Sequence, residues 1–112
     1  MFKLYFYQTS SKREVIADFI LSFSKLEITK INNDLNQLSE FGLQLVATPL
    51  VKKIYQNPAL YELRMKTTRE IRLIFCFCKP NVFVILYGFV KKTNKLPKRE
   101  LDTAIKRARE FI

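Results

Sequence analysis

The chain has 112 residues, is 48% hydrophobic, and sets twenty Lys and Arg against ten Asp and Glu, a net charge of +10. That length suits one compact domain over 1–112, able to bury a core without disulfides or metal, and no apolar run approaches the roughly 20 residues of a membrane helix. The start, MFKLYFYQTSSKREV, lacks the long apolar core and small-residue cleavage site of a secretory signal, so a cytoplasmic protein without a membrane partner is expected.

In chain order, FKLYFY (2–7) reads as a short strand. In SSKREVIADFILSF, Ser10 or Ser11 can cap a helix whose apolar stripe is Val15, Ile16, Phe19, Ile20 and Phe23. A second helix is expected after SKLE. Its seam runs through Ile28, Ile31, Leu35, Leu38, Gly42 and Leu45, with Asn32, Asn33, Asn36 and Gln37 outside. Such a pair forms a helical hairpin on one side of a sheet. The next stretch, TPLVKKIYQNPALYELRMK, is broken by Pro49 and Asn57-Pro58, with short strand-like pieces between. EIRLIFCFC (70–78) is strongly strand-like, Lys79-Pro80-Asn81 turns the chain, and VFVILYGFVKK (82–92) is another strand. Pro97 suits the first position of a last helix. Leu101, Ala104, Ile105, Ala108, Phe111 and Ile112 make its apolar side, and Lys98, Arg99, Lys106, Arg107 and Arg109 the rest. The order β-α-α-β-β-β-α describes a small α+β domain: a mainly antiparallel sheet, a two-helix layer and a C-terminal helix.

Charge divides unevenly along this order. Residues 1–48 hold five bases and five acids, whereas residues 49–112 hold fifteen bases and five acids. A basic excess confined to one part of a small domain points to a polyanion surface, most simply nucleic acid. The alternatives are general solubility or an acidic protein partner.

Two arginines sharpen that reading. Strand side chains alternate between faces, so Tyr61, Leu63 and Met65 share one face of LYELRMK while Glu62, Arg64 and Lys66 share the other. Likewise Ile71, Leu73, Phe75 and Phe77 oppose Arg72, Ile74, Cys76 and Cys78. Apolar faces must match across a strand pair, since a slip of one residue turns every side chain over. The register that aligns Leu63 with Leu73 places Arg64 opposite Arg72. Like charges set opposite each other are unfavourable, and become useful when an anion sits between them: each guanidinium fork matches phosphate oxygens. Pairing of each arginine with Glu62 or Glu70 is the structural alternative. Further along, Phe89 with Lys91 and Lys92 could stack a base and hold its phosphates. Gly88 in that strand marks a bulge or a close backbone approach, so simple alternation is not applied from Phe89 onward.

The chemistry is bounded by what the chain lacks. It has no histidine, and its glycines are Gly42 and Gly88 alone, so there is neither a Ser-His or Cys-His couple nor a glycine-rich phosphate loop. Cys76 and Cys78 cannot complete a zinc site by themselves and read as two small half-buried side chains. No metal or cofactor is expected. An enzyme of this composition acting on RNA would rely on cationic stabilisation of the transition state and on the substrate's own 2′-hydroxyl.

LYELR, then IRLIF, then YGFVKKTNKLPKREL with Ala104, Ala108 and a closing aromatic resemble the phage-derived, HigB-type branch of the RelE/ParE toxin superfamily, from about residue 60 to the C-terminus. The resemblance implies a RelE-like fold and a toxin of a type II toxin–antitoxin system. Its activity would be endoribonucleolytic: cleavage of messenger RNA in the ribosomal A site, by 2′-hydroxyl attack on the adjacent phosphate. The implied partners are a HigA-like helix-turn-helix antitoxin and, through that complex, operator DNA. By motif position Arg64, Arg72, Lys91 and Lys92 would be catalytic, and Phe89, Lys66, Arg69 and Lys95 would contact RNA. A lysine of the patch is one candidate base. Some relatives place a tyrosine or histidine near the C-terminus for proton transfer; Phe111 stands there instead. Tyr87 and Tyr61 fall on the face assigned to the core, which leaves the proton-transfer group open. Two other readings remain: a ParE-like inhibitor of DNA gyrase, and a phage regulator that binds nucleic acid without cutting it.

Overall fold

The computed structural model describes residues 1–112. The elements are β1 (Lys3–Phe6), α1 (Val15–Leu21), α2 (Lys25–Phe41), a short 3-10 helix (Gly42–Ala47), β2 (Val51–Tyr55), β3 (Leu60–Lys66), β4 (Glu70–Lys79), β5 (Val82–Lys91) and α3 (Lys98–Ala108). The five strands form one sheet in the order β1-β5-β4-β3-β2. Only β1 runs parallel to its neighbour; the other pairs are antiparallel. The α+β class, the mainly antiparallel sheet and the three helices are as expected, consistent with a RelE-like fold. No helix is long and apolar enough to cross a membrane.

The strand count differs from expectation by one. VKKIY is a strand, β2, at the edge of the sheet. It is short, and its middle lysines face solvent, which is how exposed sheet edges are protected from further pairing. The same features hide it from a search for alternating apolar residues.

Helix boundaries also shift. α1 begins after Glu14 and has no side-chain cap, so Ser10 and Ser11 do not start it. SKLE is the beginning of α2 itself. Ser24 accepts from the Glu27 backbone N–H, and the Glu27 carboxylate accepts from the Ser24 backbone N–H, a capping box that satisfies two otherwise orphan donors. Gly42 closes α2 with φ of 59°, a conformation other residues rarely adopt. Pro97 caps α3 from outside, and the first helical residue is Lys98.

The sheet is covered on both faces, which explains why β4 is buried through most of its length. α1 and α2 pack on the face of Leu63, Leu73 and Phe75; Ile16, Ile20, Ile31, Leu35 and Leu38 supply their buried residues. α3 packs on the opposite face, on β4 and β5, through Ala104 and Ala108. Gly88 shows how closely α1 approaches the sheet. A Cβ there would lie 2.5 Å from Phe19 Cδ2 and 2.9 Å from Leu73 Cδ2. Gly88→Ala is therefore expected to destabilise the fold by about 1–3 kcal/mol through overpacking, read as a lower urea midpoint.

β5 contains one irregularity that matters for the site. Phe75 pairs with Ile85, but Ile74 pairs with Tyr87, so Leu86 is an extra residue on the β5 side. Such a bulge reverses the alternation beyond it. Phe83 and Ile85 face the two-helix layer, whereas Tyr87, Phe89 and Lys91 face the other way. Tyr87 therefore lies on the arginine face. The expectation that it shares the core face with Tyr61 is corrected here, because simple alternation fails two residues before Phe89. Tyr61 does pack on the two-helix side, stacked on Phe75 at 5.6 Å between ring centroids.

Candidate active site

β3 and β4 pair Leu63 with Leu73 and Arg64 with Arg72, the register that the apolar faces require. β5 adds a third residue to each step. The face opposite the two-helix layer thus carries parallel rows: Lys66, Glu70 and Lys91; then Arg64, Arg72 and Phe89; then Glu62, Ile74 and Tyr87. α3 covers the inner end of this face. The outer two rows remain open.

The fold supplies its own carboxylate to the arginine pair. Glu62 is buried, and its Oε1 lies 3.6 Å from Arg64 Nε and 3.5 Å from Arg72 Nε. The structural alternative weighed for the arginines is thus present, but as long contacts. Arg72 is itself buried, with Nε lacking any hydrogen-bond partner. Its Nη1 donates to the Ile71 carbonyl at 3.1 Å and its Nη2 to Glu70 Oε1 at 3.4 Å. A guanidinium has five N–H donors, so most of this fork is unused. Arg64 and Arg72, with Glu70, Lys91, Lys92 and the Thr93-Asn94 turn, line a cleft of about 330 Å³ that has no hydrophobic side chain in its wall. Four cations around one acid, in a recess too polar for an apolar ligand, suit a phosphodiester.

The profile of the phage derived protein Gp49-like family matches residues 18–109. The chain belongs to the Gp49-like family. That family is part of the RelE/ParE-like toxin superfamily. The matched span includes the whole cleft, and it reaches back through α2 into α1, well before the motifs near residue 60. No curated protein matches the chain.

In this Gp49-like domain the sequence-derived residues separate into groups. Arg64, Arg72, Lys91 and Lys92 meet at the cleft. Lys66 ends the outer row and is exposed. Phe89 is on the arginine face but buried beside Arg72, so it offers no open ring for stacking. Lys95 lies in the loop before α3, exposed and outside the cleft wall.

Arg69 is taken elsewhere. Its Nη2 and Nε donate to the Glu27 carboxylate at 2.7 and 3.2 Å, and its guanidinium lies 4.6 Å from the Phe23 ring centroid. The Thr67 hydroxyl donates to the same carboxylate at 2.8 Å. These contacts pin the β3–β4 turn to the start of α2, a long-range pairing with no local signature. Arg69 first, then Thr67, hold the Glu27 carboxyl at a pKa of about 2. A carboxyl lowered by folding contributes stability above its unfolded value, and that contribution is lost as pH falls toward the folded one. The melting temperature is expected to fall as the pH drops from about 4.5 to about 2, and Glu27→Gln to flatten that fall, in thermal scans across this range.

The remaining candidates for proton transfer or nucleophilic chemistry are poorly placed. Burial, then the Glu100 carboxylate, raise the Tyr87 pKa, so its hydroxyl holds its proton more firmly. Burial likewise pushes the Cys76 thiol up to about 11, far from a reactive thiolate. Phe111 packs edge-on to Tyr7, with centroids 6.2 Å apart, beside a groove of about 690 Å³ at the opposite end of β5. That groove is larger than the arginine cleft but mostly apolar, and it contains no guanidinium.

Proposed function

We propose that this Gp49-like protein is the toxin of a type II toxin–antitoxin system, of the HigB-type branch, and that it cleaves messenger RNA on the ribosome. The observation that carries this is the Arg64–Arg72 pair, held side by side with unused donors and joined by Lys91 and Lys92 around a polar cleft. In the proposed reaction the two guanidiniums bind the scissile phosphate and offset the charge that builds on its oxygens. The lysines extend the field to the flanking backbone and can donate a proton to the leaving oxygen. The 2′-hydroxyl attacks the phosphate, leaving a cyclic phosphate and a free 5′-hydroxyl, with no metal in the reaction. The domain acts as a unit over 1–112, in the cytoplasm. A HigA-like antitoxin neutralises it and carries the complex to operator DNA.

The test is a pulse of expression in a bacterium, with 5′ ends mapped on one message in translated and start-codon-deleted forms. New ends in the translated form alone support ribosome-dependent cleavage. Ends in both forms would make it a free ribonuclease. Growth arrest without new ends would remove the nuclease reading, and DNA-damage signalling in its place would favour gyrase inhibition.

A further inference from the structure

Glu70 is the one acid in the wall of the cationic cleft. It begins β4, and the register sets it between Lys66 on β3 and Lys91 on β5. Its two carboxylate oxygens are not equivalent. Oε1 accepts from Arg72 Nη2 at 3.4 Å. Oε2 is shielded from solvent and has no hydrogen-bond partner, although the side chain as a whole is 41% exposed. A shielded carboxylate oxygen without a donor is costly. Four cations line the same cleft, and none of them donates to Oε2. A sheet evolved for charge balance alone would turn both oxygens toward those cations. An acceptor held open beside a phosphate site is instead what a hydroxyl donor from the ligand would satisfy.

We infer that Glu70 is the catalytic base that accepts the proton of the RNA 2′-hydroxyl. This rests on the nuclease reading and completes it. Arg72 anchors Oε1, which orients Oε2. The 2′-hydroxyl gives its proton to Oε2 as its oxygen bonds to phosphorus. The bond from phosphorus to the 5′ oxygen breaks, and that oxygen leaves with a proton from the Lys91 or Lys92 ammonium. Arg64 and Arg72 carry the charge on the phosphoryl oxygens throughout. A carboxylate in place of a lysine as base also fits the numbers of groups present: every lysine of the cleft can then stay a cation, favourable to the phosphate.

Two variants and two measurements test this. Single-turnover cleavage is followed on ribosomes carrying a message, and binding is followed with the same RNA bearing a 2′-O-methyl group, which cannot react. Glu70→Gln keeps an acceptor for Arg72 but removes the base. It is expected to slow cleavage by about 10²–10⁴-fold while binding the methylated RNA as tightly as the wild type or tighter, because a negative charge has left the cleft. Glu70→Asp, with the carboxylate on a shorter arm, should recover part of the rate. Between about pH 6 and about pH 9 the wild-type rate should be level, since Glu70 faces only Lys66, Arg64, Arg72, Lys91 and Lys92. The residual Glu70→Gln rate should climb about tenfold per pH unit as hydroxide takes over. Cleavage by Glu70→Gln at the wild-type rate would overturn the assignment and leave the nuclease reading intact. Weaker binding in parallel with slower cleavage would overturn it too, reducing Glu70 to a support for Arg72. A wild-type protein that cuts nothing would instead remove the nuclease reading itself.

Discussion

Arg72→Ala is expected to abolish growth arrest on induction and to erase the new 5′ ends. The side chain supplies the buried half of the phosphate fork, and losing one such preorganised donor costs about 10²–10³ in rate in comparable sites; Arg72 offers several. The sequence alone suggests that relieving the Arg64–Arg72 repulsion should leave the fold intact or firmer. The structure reverses that expectation. Glu62 is buried against both guanidiniums, so removing Arg72 leaves it with the more exposed Arg64 alone. We expect a loss of about 1–3 kcal/mol, measured as a lower urea midpoint at unchanged slope. Arg72→Lys separates the two effects. It keeps a positive charge for Glu62 and loses the planar fork, so it should fold nearly as well as the wild type and still fail to cut. A toxic Arg72→Ala protein would remove the arginine from the chemistry.

Arg107→Ala is expected to be among the most damaging substitutions on α3, although the residue reads as one more surface base. Its Nη1 donates to the Leu86 carbonyl at 2.8 Å, at the bulge of β5. Its guanidinium lies 4.6 Å from the Tyr7 centroid and 5.4 Å from that of Tyr87. The Tyr7 hydroxyl in turn donates to Glu110 Oε2 at 2.6 Å. Truncating Arg107 would orphan a carbonyl and strip two ring contacts, together about 2–4 kcal/mol. Lys106→Ala, one residue away and exposed, should stay within about 0.5 kcal/mol. Equal urea midpoints for the two variants would mean that the clamp contributes nothing.

These two residues mark where sequence reasoning reaches and where it stops. The Arg64–Arg72 pairing is legible because apolar residues on both strands admit only one register, and the arginines follow from it. The helical hairpin is legible from its periodic stripes. β2 is not, since an edge strand built of lysines has no periodicity to detect. The roles of Arg69 and Arg107 are also hidden: each is decided by a partner more than twenty residues away, Glu27 in one case and Leu86 in the other. Glu70 stands between. Its place in the register can be read, but its unpartnered oxygen belongs to the folded cleft.

Leu86 has a consequence of a different kind. Its side chain takes no part in the chemistry, yet it sets the phase of everything after it in β5. Remove that one residue and Phe83 and Ile85 keep their places, locked by the parallel pairing with β1. The segment beyond comes into even step with them, and Phe89 and Lys91 turn inward toward α1 while Val90 turns out into the cleft. Every functional side chain would survive in the sequence, and the site would be gone. The bulge works like a frame-setting nucleotide in a reading frame: its identity is tolerant, its count is not. Substitution of Leu86 by another apolar residue should therefore be borne far better than its deletion, and growth arrest on induction would tell the two apart.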